Sequence, residues 1–143
     1  MLGGDCTKAI AKGGRKMDAQ FVLGVDLDGT CADFYGGLRP IAAEWLGVDP
    51  ESLTPAVTWN LPEWGVAHAP GGYPKLHQFA VTQRDLFRAL KPMPGAPQGL
   101  RRLSAQGVRI RIVTHRLFVK YFHRVAVQQT IDWLDGHDIP YWD

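Results

Sequence analysis

The feature that most constrains this chain is an apolar run, Phe21-Val22-Leu23-Gly24-Val25, that passes directly into Asp26-Leu27-Asp28-Gly29-Thr30. A run of this length bounded by polar residues reads as a buried strand. Two carboxylates then fall where the strand gives way to a loop. In an open α/β sheet the carboxyl ends of strands face the crevice where ligands bind, whereas a charge in mid-strand would be buried at severe cost. Gly29 is expected to turn the chain sharply enough to bring the Asp28 carboxyl beside Asp26 and to leave the Asp28 carbonyl free for a metal. The plainer alternative at this point is an ordinary Asp-Gly turn, with Asp26 serving as a helix-capping acid.

A second strand, Val108-Arg109-Ile110-Arg111-Ile112-Val113, ends at Thr114 in the same manner. If the two strands are parallel, Thr114 and Asp26 meet at one edge of a crevice, where a hydroxyl and backbone N–H groups hold a phosphate oxygen. Arg109 and Arg111 alternate within this strand, which predicts that one face of the sheet is partly open.

Between these strands the pattern is helical. Leu38, Ile41, Ala42 and Trp45 share a helix face and Gly47 supplies a stop. Pro50, Pro55, Pro62, Pro70 and Gly71-Gly72 restrict the next stretch to turns and short helices. Brief helical patterns follow around Leu76, Phe79 and Ala80, and around Leu86, Phe87 and Leu90. Paired prolines in Lys91-Pro92-Met93-Pro94-Gly95 end this insertion. Leu100 and Leu103 mark a further helix closed by Gly107. Phe122, Val125, Ala126, Gln129 and Trp133 mark a last one that stops near Gly136, before Ile139-Pro140-Tyr141-Trp142 opens a third strand. The organisation expected is therefore a flexible tail over 1–16, a core built from 17–33 and 92–143, and a helical insertion over 34–91.

The chain of 143 residues is 45% apolar, enough for one domain with a core, and its net charge of +2 gives no footprint for a nucleic-acid polymer. No apolar run is long enough to span a bilayer. Cys6 and Cys31 stand in unrelated contexts, which suits a reducing, cytoplasmic setting.

The stretch Val25-Asp26-Leu27-Asp28-Gly29-Thr30, followed by Ile110-Arg111-Ile112-Val113-Thr114, resembles the first two motifs of the haloacid dehalogenase superfamily of phosphatases. Asp33-Phe34-Tyr35, Trp59-Asn60-Leu61-Pro62, Lys91-Pro92-Met93-Pro94-Gly95-Ala96 and Thr114-His115-Arg116 resemble, more narrowly, the 5'-nucleotidases related to the 5'(3')-deoxyribonucleotidases. The resemblance implies an α/β, Rossmann-like core with a parallel sheet and a small helical cap inserted after the first strand. It implies a magnesium-dependent phosphomonoester hydrolase acting on nucleoside monophosphates. Asp26 is then the nucleophile that becomes an aspartyl-phosphate, and Asp28 the general acid and base. Gly29, Thr30, Thr114 and His115 hold the phosphate, and Mg2+ binds the Asp26 carboxylate and the Asp28 carbonyl. Phe34, Tyr35, Trp59 and Trp64 are the candidates for stacking on the base. Asp28 favours phosphate transfer over dehalogenation, which needs no second acid.

The family pattern also calls for a downstream lysine and further acids after a third strand, and Lys120, Asp132, Asp135 and Asp138 do not match it. The expectation drawn from this is a C-terminally truncated product whose first strand is an exposed edge, inviting self-association. The alternative function is then a catalytically incomplete fragment, or a phosphate-binding module that needs a partner chain.

Overall fold

The computed structural model describes residues 21–142, the side chains of Leu117 and Phe118 excepted. The expectations for residues 1–16 lie outside this range. Strand β1 (Val22–Val25) and strand β2 (Arg109–Ile112) form a parallel pair in the register Val22 to Arg109 through Val25 to Ile112. Parallel neighbours require a crossover, and the helices between them supply it. Beyond the last formal pair, Val113 N–H donates to the Val25 carbonyl at 2.8 Å, which carries the alignment to the start of both loops. Where the sequence placed the opening of a third strand, a single bridge forms at Trp142, and the sheet among the described residues has two strands. Trp142 N–H donates to the Ile110 carbonyl at 2.8 Å, on the side of β2 away from β1, and the Arg109 guanidinium stacks over the Trp142 ring at 4.3 Å. Ile110 is buried while Arg111, Val22 and Gly24 are exposed, so one face of the sheet is open, as the alternating arginines predicted.

Helix α1 (Phe34–Leu46) begins earlier than its apolar spacing suggested. The Asp33 carboxylate accepts the Gly36 N–H at 3.0 Å and caps the first turn, and Gly47, at φ 70°, closes the last. The proline-rich stretch forms three short 3-10 turns, Pro50–Ser52, Pro62–Trp64 and Val66–His68, two of them opened by proline. Helix α2 (Gly72–Arg84) and the single turn α3 (Leu86–Ala89) are separated by Asp85, whose left-handed backbone (φ 49°) breaks what would be one helix. Helices α4 (Ala96–Ala105) and α5 (His123–Gly136) follow on either side of β2 in sequence.

The segment between Asp33 and Lys91 leaves and returns through one narrow stem. Asp33 N–H donates to the Lys91 carbonyl at 2.8 Å and Met93 N–H to the Cys31 carbonyl at 2.7 Å. Its helices nonetheless pack on α5. Leu38, Leu76, Val81, Leu86, Phe87, Ala126 and Trp133 belong to one buried cluster together with Leu27 and Ile110 of the sheet region. Each such side chain contributes about 1.5–3 kcal/mol by leaving water. The core thus ties the helical segment to the loops that carry the two carboxylates.

Candidate active site

Val25 ends β1, and Leu27 is fully buried. Its carbonyl accepts three backbone N–H groups, from Thr30 at 3.1 Å, Cys31 at 2.9 Å and Ala32 at 2.8 Å, which fastens the loop to the core. Asp26 and Asp28 flank this anchor and both line one cavity of about 370 Å³. They share a side because residues two apart in extended chain do so, with Leu27 turned to the core between them. The turn at Gly29 (φ 79°) is therefore not what brings the acids together; it ends the extended run behind them. The N–H groups of Gly29 and Thr30 are engaged inside this turn, donating to the Ala32 and Leu27 carbonyls, and neither residue is among those lining the cavity.

Thr114 stands at the matching end of β2, as expected. It is buried, and its hydroxyl oxygen accepts the Arg116 N–H at 3.3 Å, capping the short helix His115–Phe118. The residues that this helix presents to the cavity are His115 and Arg116.

Arg116 is the cavity residue whose burial the sequence did not reveal. It is 1% exposed, although an arginine two residues beyond a strand reads more readily as a solvated surface group. Its Nε donates to the two Asp28 oxygens at 3.1 and 3.0 Å, and its Nη2 donates to Oδ1 at 2.5 Å. Nη1 donates to the Thr130 hydroxyl at 3.3 Å, and the guanidinium carbon lies 4.1 Å from the centre of the Phe87 ring. Forked contact of this kind is the strong form of an ion pair.

The rest of the cavity wall is largely aromatic: Phe34, Tyr35, Trp59, Tyr73, His77 and Phe87, with Asn60, Leu61 and Val119 completing it. Phe34, Tyr35 and Trp59 stand where the sequence expected them, and Trp59 is 77% exposed. Trp64 is elsewhere: it is buried in the core, and its indole N–H donates to the Thr54 carbonyl at 2.7 Å. Tyr73 and His77, missed from the sequence, stack with ring centres 5.5 Å apart. Their spacing of four residues on α2 was the available signal. His77 also meets Phe87 and Phe122 edge-on, each at 5.6 Å. Burial holds the His77 imidazole below its ordinary range, with Asp28 pulling upward and Arg116 downward. Burial, aided by Tyr35 and Asp28, pushes the Tyr73 hydroxyl up to about 12. Burial and the nearby Asp26 likewise raise the Cys31 thiol.

Among the described residues no three His, Cys, Asp or Glu side chains converge as a metal cage. Asp26 and Asp28 line the cavity, and no backbone N–H among the described residues donates to the Asp28 carbonyl. One carboxylate and one carbonyl are hard oxygen donors that suit a cation retaining several waters. Asp132 is committed elsewhere, paired with Arg88 at 2.7 Å, and Asp135 accepts the Tyr141 hydroxyl at 3.2 Å.

Residues 20–143 match the family model described as "5' nucleotidase, deoxy (Pyrimidine), cytosolic type C protein". The chain belongs to this 5'-nucleotidase family. The same assignment is supported by a protein of Chlorobaculum tepidum (strain ATCC 49652 / DSM 12025 / NBRC 103806 / TLS) named "Putative 5'(3')-deoxyribonucleotidase". The two are 54% identical over 137 residues, a match that covers 96% of this chain and 67% of that protein. The resemblance read from the carboxylate and threonine motifs to haloacid dehalogenase-type 5'-nucleotidases thus stands. No helix among the described residues of this nucleotidase-family chain is long and apolar enough to cross a membrane.

Proposed function

We propose that the chain hydrolyses (deoxy)nucleoside 5'-monophosphates through a covalent aspartyl-phosphate. The observation that carries this reading is the placement of Asp26 and Asp28 on one cavity whose remaining wall is mostly aromatic. Family membership and the name of the relative support the substrate class. A carboxylate pair suits phosphoryl transfer once a cation offsets its charge, and aromatic rings suit the base, because stacking tolerates any π-face.

In this mechanism the exposed Asp26 carboxylate attacks phosphorus, a P–O bond to Asp26 forms, and the ester P–O bond breaks. Asp28 gives its proton to the departing alcohol, then takes one from the water that attacks the aspartyl-phosphate, so that phosphate leaves and both acids are restored. Mg2+ bound by the Asp26 carboxylate and the Asp28 carbonyl would neutralise phosphoryl oxygens. Thr114, buried at the end of β2 and not itself among the residues lining the cavity, holds the Arg116 N–H through its hydroxyl oxygen, and His115 is the neighbour that stands at the cavity. The helical segment over 34–91 acts as a cap that supplies Phe34, Tyr35 and Trp59 to the base, and the reading places the activity in the cytoplasm. The test is phosphate release from deoxynucleoside monophosphates with magnesium. Release no faster than from Asp26→Asn removes the proposal.

A second reading is favoured by the outer edge of β1, which pairs only with β2 among the described residues and leaves Phe21 66% and Val22 46% exposed. In that reading the cavity binds phosphate esters and turns them over only when another strand completes the sheet. Light scattering of the purified chain alongside the hydrolysis assay separates the two, since an active monomer excludes the second.

A further inference from the structure

We propose that Arg116 is the phosphate-binding cation of this cavity and that the Asp28 carboxylate occupies its place until a phosphate ester arrives. This deepens the hydrolase reading and rests on it for the identity of the ester.

Three observations lead there. First, among the described residues lining the cavity Arg116 is the only arginine or lysine, and it shares that cavity with two carboxylates. A phosphate dianion needs a cation to meet it, and this one is in place.

Second, the guanidinium is held from behind and open in front. Thr130 binds Nη1, the Phe87 ring covers a face, and the residue's own N–H is fixed on Thr114. The edge formed by Nε and Nη2 is left for Asp28, whose side chain is 26% exposed against 1% for Arg116. Asp28 therefore lies on the solvent side of the arginine. The edge it covers is the fork that accepts carboxylate or phosphate with the same geometry.

Third, the observed pair is not the arrangement that performs acid catalysis. With both oxygens on the guanidinium, Asp28 acts only as an acceptor, whereas the leaving alcohol needs a proton from it. A buried guanidinium without an anion is strongly disfavoured, so Asp28 leaves only in exchange for another anion. Phosphate brings more charge than the carboxylate and also presents two oxygens to the fork. Substrate arrival and release of the acid are then one event, and the acid stays sequestered in the free protein.

The exchange is read by binding of inorganic phosphate, measured calorimetrically on the full chain with chelator present, so that turnover plays no part. Asp28→Asn is expected to tighten phosphate at least fivefold more than Asp26→Asn does, although both remove one negative charge from the same cavity. The extra gain disappears when Arg116→Gln is added. Arg116→Lys, which keeps the charge and loses the fork, is the second background should Arg116→Gln fail to fold, and there the gain falls at least by half. Equal effects of the two aspartate substitutions overturn the proposal. So does a gain that survives both Arg116 changes, or no measurable phosphate binding by Asp28→Asn at millimolar concentrations. A chain that shows the exchange and hydrolyses nothing refutes the activity alone. A hydrolase without the exchange refutes this inference alone.

Discussion

The Gln129 carboxamide oxygen accepts the backbone N–H of Phe87 at 3.2 Å, across 42 residues of sequence and inside the core. The same side chain donates to the Val81 carbonyl at 2.7 Å and to Asp85 Oδ1 at 3.0 Å, so one buried amide from α5 satisfies the backbone where α2 breaks and α3 begins. Gln129→Leu keeps the volume and orphans these groups. The expected cost is about 2 kcal/mol, read as a lowered denaturation midpoint with an unchanged m-value.

Two glycines should respond in opposite directions to alanine. A Cβ at Gly37 would lie 2.4 Å from Leu90 Cδ2, a side chain 2% exposed that has nowhere to move, so overpacking of about 1–3 kcal/mol outweighs the roughly 1 kcal/mol gained in helix propensity. A Cβ at Gly99, within α4, meets nothing within 4 Å. Thermal melting should show Gly37→Ala below the parent protein and Gly99→Ala above it.

His77 predicts an acid-sensitive fold. Burial lowers its affinity for a proton in the folded state, with Asp28 opposing and Arg116 reinforcing the effect. Below the ordinary value of 6.5 the unfolded chain binds a proton that the folded chain resists, so stability rises with pH in this window and is lost as pH falls through it. His77→Phe, which preserves an aromatic ring among Phe34, Phe87 and Phe122, should flatten this limb of the stability profile. An unchanged slope below pH 6.5 would count against the assigned burial.

Trp59 and Trp64 separate binding from folding. Trp59→Ala should raise KM for nucleoside monophosphates about tenfold with little change in kcat, the order of one lost base-stacking contact. Trp64→Phe removes the donor to the Thr54 carbonyl and should cost about 1 kcal/mol of stability while leaving KM alone. The reverse pattern would reassign the two rings.

Local chemistry made much of this legible. The apolar run ending in Asp26 and Asp28, the stop at Gly47, the prolines between 50 and 70 and the strand ending at Thr114 all act through backbone preference and short-range periodicity. They appear where those preferences put them. The early start of α1 was hidden because its first turn contains Gly36 and Gly37 and is secured by the Asp33 cap rather than by propensity. The two helical patterns around Leu76 and Leu86 were legible as separate helices, but what divides them was not, because the break rests on one left-handed aspartate and on a glutamine 44 residues away.

The sequence by itself determined that two carboxylates end a strand, that a threonine ends another, and that these motifs belong to a nucleotidase family, since each depends on neighbours in the chain. Tertiary structure alone decided that Arg116 is buried against Asp28, that Tyr73 and His77 join the cavity, and that Trp64 does not. Those outcomes depend on which surfaces the packing of α2, α3 and α5 removes from water. Burial and long-range charge pairing have no signature in local spacing.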